Sequence, residues 1–103
     1  MKPLNAIIPN RQLFNEARCH AVTSGKFGYV GHQRQNKDCQ SSWNAECCDY
    51  GNFSALEHVL RLLIDEFVPS LGHRYACLGY YTEGGIAFSS HAKWEENVVL
   101  DFK

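Results

Sequence analysis

The 103-residue chain lacks the marks of several common functional classes. No apolar run approaches the ~20 residues of a membrane-spanning helix, so no membrane span is expected. Ten Lys and Arg stand against eleven Asp and Glu, a formal charge of −1, with no basic block or stripe; that excludes the usual electrostatic footprint of a nucleic-acid binder. No CxxC pair exists to build a ribbon-type zinc site. The glycines at 25, 28 and 31 are not followed by the Lys-Ser or Lys-Thr of a phosphate loop, and no GxSxG marks a hydrolase nucleophile elbow. Met1-Lys2-Pro3 is followed by no apolar stretch long enough for a signal peptide.

What is present is a 45% apolar composition, suited to one small domain spanning 1–103, and five cysteines. That thiol density is unusual for a cytosolic chain without metal or catalytic use and points to disulfides, the alternative being reduced core thiols. Cys47 and Cys48 are neighbours and seldom bond to each other. The expected framework therefore gives each a separate partner, Cys39 and Cys77, and leaves Cys19 as a small reduced core residue. Disulfides imply an oxidising compartment, extracellular or periplasmic.

Local patterning predicts helices first and strands later, an α+β domain with an antiparallel sheet. Asn10 reads as an N-cap ahead of Leu13, Ala17 and Ala21, with Gly25 as the stop. Residues 26–53 are irregular apart from a short strand near Glu46–Tyr50. Ser54-Ala55-Leu56-Glu57 is a capping box. Behind it Leu56, Val59, Leu60, Leu63 and Phe67 share one helical face, with His58, Arg61 and Asp65 opposite and Glu66 on the rim. Pro69 ends that helix. Residues 86–88 and 97–102 read as strands joined through 89–95.

Four segments in order carry a resemblance: 25–32 ending in Gly31-His32; Glu46-Cys47-Cys48-Asp49-Tyr50-Gly51; 63–74 ending in Gly72-His73-Arg74; and Gly85–Phe88 with His91 and Asn97–Phe102. Together they resemble successive landmarks of the bacterial branch of the CAP superfamily, which includes the cysteine-rich secretory proteins, venom allergens and plant pathogenesis-related proteins. The resemblance implies an α-β-α sandwich around a small antiparallel sheet, without the family's first helix. It also implies a cleft tetrad.

On the residues alone, His32 reads first as a loop histidine bonded to a carbonyl, and His73 likewise. The resemblance places both in the tetrad, with Glu46 as its first carboxylate, although the asparagine usual after that position is Cys47 here. For the second carboxylate, helical phase favours Glu66 over Asp65. His20 reads as a packed helix histidine; His58 and His91 read as solvated. The tetrad His32, Glu46, Glu66 and His73 suits a non-enzymatic binding module holding a divalent metal such as zinc, or a small-molecule, lipid or protein ligand. A zinc-dependent hydrolase and a purely structural polar network are the alternatives.

Overall fold

A computed structural model describes residues 7–64 and 81–103, with the side chains of 59 and 62–64 left aside. Its elements are β1 (Ile8–Pro9), α1 (Arg11–Phe27), β2 (Ala45–Tyr50), α2 (Ala55–Ile64), β3 (Glu83–His91) and β4 (Glu95–Phe102), an α+β arrangement. Glu66, His73 and Cys77 lie outside the described residues, as do Asp65, Phe67 and Pro69.

Helix α1 starts where its sequence says it should. The Asn10 side chain accepts from the Leu13 amide at 2.9 Å, a cap worth about 1 kcal/mol. Leu13, Glu16, Ala17, His20, Ala21, Ser24 and Gly25 form its buried stripe. The expected stop at Gly25 is corrected: the helix runs on to Phe27, and Gly28, at φ 67°, closes it in the left-handed region. Gly25 serves a different need. A Cβ there would lie 1.8 Å from the Ser90 carbonyl oxygen, so only glycine lets the helix sit this close to β3. Asn97 on β4 strengthens that contact, its Nδ2 donating to the Ala21 carbonyl at 3.1 Å.

The sheet has the order β1-β3-β4-β2. It is mixed rather than wholly antiparallel, because β1 runs parallel to β3 while β3–β4 and β4–β2 are antiparallel. Strands β3 and β4 are longer than expected, leaving only 92–94 as the connection. Ala17 and Ala21 of α1 pack on Cys48, Ala87 and Val99. Cys47, Val98 and Leu100 form a second buried group on the opposite side of the pleat.

Helix α2 has the predicted capping box: the Glu57 amide donates to Ser54 Oγ at 3.1 Å, and Glu57 Oε1 accepts from the Ser54 amide at 3.4 Å. Its rotation differs from expectation. His58 is buried, while Leu56 and Leu60 are 67% and 46% exposed. The physical reason is Asp49 on β2, a carboxylate that draws in His58 Nδ1 at 2.7 Å and Arg61 Nε at 2.8 Å. Phe53 and Phe88 flank the His58 ring. His91 is likewise buried rather than solvated: Nε2 donates to the Tyr29 carbonyl at 2.9 Å, and Nδ1 accepts from the Lys93 and Trp94 amides.

The cysteine framework also needs correction. Cys19 is bonded to Cys39, their Cα atoms 5.5 Å apart, tying α1 to the loop ahead of β2. Strand β2 turns Cys47 and Cys48 to opposite faces of the sheet and buries both, and the other expected partner, Cys77, lies outside the described residues. Cys48 is a buried free thiol.

Candidate functional site

Strand β2 alternates, so Glu46, Cys48 and Tyr50 all face α1. The loop 28–44 passes over them, held at several points. The Gly31 amide donates to Tyr50 Oη at 2.9 Å, and the Gly31 carbonyl accepts from His20 Nε2 at 2.8 Å. The Ser42 amide donates to Glu16 Oε1 at 2.6 Å. These ties, with the disulfide, bring His32 and Arg34 down onto Glu46.

The structure brings together His32 and Glu46 of the four residues expected in the cleft. His32 Nδ1 donates to Glu46 Oε1 at 2.8 Å; the imidazole is 49% exposed and the carboxylate fully buried. Arg34 grips the same carboxylate with two bonds, Nη1 to Oε1 at 2.9 Å and Nη2 to Oε2 at 2.7 Å. The guanidinium lies over Trp43, 5.7 Å from the ring centroid. A fork on a carboxylate is the strong form of this pair.

Burial alone would raise the Glu46 pKa, but the hydrogen bonds from His32 and Arg34 outweigh it and hold the carboxyl well below its ordinary range. Asp101 behaves oppositely. Burial, then its proximity to Glu46, pushes it up to about 9, so it is a neutral acid at pH 7. Arg34 Nη2 lies 3.6 Å from its Oδ2.

His20 and Cys48 complete the cluster. Burial lowers the His20 pKa, so its ring is neutral, with Ser24 Oγ 3.3 Å from Nδ1. Cys48 Sγ lies 3.8 Å from Glu46 Oε1 and 3.6 Å from His32 Nδ1, and burial pushes the thiol well up from its usual value. The ligand atoms of His20, Glu46 and Cys48 all fall within 4.8 Å of one another, a grouping able to hold a metal ion. An apolar groove of about 750 Å³, lined by Ile7, Phe14, Ile86 and Phe102 among others, shares no residue with this cluster.

Sequence reasoning missed Arg34, Cys48 and Asp101 as members, and placed His20 only as a packed residue. The i, i+4 spacing of His20 and Ser24 and the two-residue spacing of Glu46 and Cys48 were usable signals. For Arg34 there was none.

The disulfide is compatible with an oxidising compartment. Among the described residues no helix is long and apolar enough to cross a membrane. No family model, curated protein or solved structure matches the chain.

Proposed function

We propose that the chain is a secreted or periplasmic, non-enzymatic binding module of the CAP kind. Its cleft centres on His32 and Glu46 and takes a divalent cation, zinc foremost, or a small ligand. The observation that carries this is the half-exposed His32 ring held at Nδ1 by a fully buried carboxylate. That bond fixes the tautomer and leaves Nε2 as an acceptor, the arrangement of a metal-binding or ligand-binding histidine.

Binding suits the chemistry better than turnover. A general base works best with a pKa near the working pH and an unoccupied oxygen. Glu46 is depressed far below that, and both its oxygens are taken by Arg34. Cys48 is held as a thiol, which is no nucleophile. Among the described residues the zinc-hydrolase reading therefore has no poised base.

A purely structural network is the second reading, favoured by the complete burial of Glu46 and by its bidentate arginine. Zinc calorimetry separates the two. Wild type should bind, and His32→Ala should weaken binding at least tenfold. Wild type that takes up no zinc, or a His32→Ala variant that binds equally well, leaves the structural network as the better account.

A further inference from the structure

Cys48 packs among Ala17, Ala21, Ala87 and Val99, and its thiol also reaches the polar cluster around Glu46. A tetrahedral zinc ion with bonds of about 2.0–2.3 Å holds its donors roughly 3.3–3.8 Å apart. Around Glu46 Oε1 the spacings bracket that range: 2.8 Å to His32 Nδ1, 3.8 Å to Cys48 Sγ and 4.0 Å to His20 Nε2. His32 Nδ1 to Cys48 Sγ is 3.6 Å.

We propose that His20, Glu46 and Cys48 form the inner wall of a zinc-class site that His32 closes from the solvent side. This rests on reading the His32–Glu46 cleft as a cation site, and it adds two ligands, a thiolate and a buried imidazole; His32 then ligates through Nδ1, its ring proton moving to the solvent-facing Nε2.

Each donor has a route to its ligating form. Cys48 exchanges its S–H bond for a sulfur–metal bond and releases the proton to solvent, as coordinating thiols do. His20 gives up its bond to the Gly31 carbonyl, and the ring proton moves to Nδ1, where Ser24 Oγ at 3.3 Å turns to accept it. A second hydrogen bond of this sort is what orients metal-bound histidines. Arg34 Nη2 keeps Glu46 Oε2 at 2.7 Å, while Arg34 Nη1 and the His32 ring give up their bonds to Oε1 when the ion takes it.

The donor set specifies the cation. Thiolate and imidazole suit zinc, cobalt(II) and copper, whereas magnesium and calcium need oxygen ligands. Half of the His32 ring faces solvent, which supplies the way in.

Cobalt(II) added to the full chain, with its disulfide intact, tests this directly. The expected spectrum has the near-ultraviolet thiolate-to-cobalt charge-transfer band and the visible bands of a tetrahedral site. Zinc should displace the cobalt, and excess magnesium should not. Cys48→Ala should abolish the charge-transfer band and weaken cobalt binding at least tenfold, with circular dichroism confirming that the variant is folded. His20→Asn should weaken binding similarly while keeping the band. Cobalt that binds through His32 without a charge-transfer band, or with a band that survives Cys48→Ala, overturns the buried site and leaves the cleft reading standing. An absence of binding in the wild type overturns both.

Discussion

Glu46 and Asp101 stand directly opposite each other on the β2–β4 ladder, and both carboxyls are withdrawn entirely from solvent. Like charges this close and this buried do not both ionise. The pair therefore carries one proton through neutral pH, held by Asp101, while Glu46 keeps the charge that Arg34 and His32 need.

This sharing should be visible as a pH dependence of stability in the metal-free protein. Asp101 titrates near 9 when folded and near 4 when unfolded, so in between the folded state holds a proton that the unfolded state has lost. Stability should fall as pH rises across that window, by about 1.4 kcal/mol per pH unit for one proton. Urea denaturation at pH 7 and 8 reads the slope, and Asp101→Asn should flatten it. A wild-type slope of zero would show that Asp101 is ionised in the fold.

Arg34 is the counter-charge of Glu46. Arg34→Met leaves that carboxylate buried without a cation and should cost about 3–5 kcal/mol of unfolding free energy. Arg34→Lys keeps the charge but loses the fork, and should cost less. Chemical denaturation of both variants checks the order.

The Cys19–Cys39 link encloses a 20-residue separation. Cys39→Ser should lower stability by about 3 kcal/mol. Peptide mapping of the unreduced protein should recover the Cys19–Cys39 peptide pair. A Cys39 peptide linked to Cys47 or Cys48 would contradict the connectivity.

Gly25 and Gly28 should respond differently to alanine. At Gly25 the new methyl meets the Ser90 carbonyl, backbone that cannot step aside, so Gly25→Ala should destabilise by about 3 kcal/mol or more. At Gly28 the cost is the left-handed conformation, about 1–2 kcal/mol, because the nearest atom is a Lys93 side-chain carbon. Thermal melts of the two variants compare them directly.

The parts of this structure written in local pattern were readable. Asn10 with its apolar stripe predicts α1, Ser54 and Glu57 predict the start of α2, and the segment around Glu46–Tyr50 reads as a strand. What resisted was non-local. Nothing near Asp101 in sequence says that it faces Glu46, because that depends on strand register, and a slip of one residue would turn it to the other side. Arg34 and Cys39 sit in irregular chain, where no period marks which way a side chain points. The rotation of α2 is non-local for a related reason. Hydrophobic phase alone predicts a different buried face, while a single carboxylate on another element, Asp49, binds His58 and Arg61.

Pro9 at the outer margin of the sheet has a bearing on how the protein behaves at high concentration. Ile8 and Asn10 send their amides inward, to the Thr82 and Gly84 carbonyls, so the residue between them presents its backbone outward. That residue is a proline and has no N–H to offer. An incoming strand from another molecule finds no donor at the middle of β1, and β1 is only two residues long. Among the described strands this margin is therefore guarded against edge-to-edge stacking, the route by which open sheets nucleate fibrils.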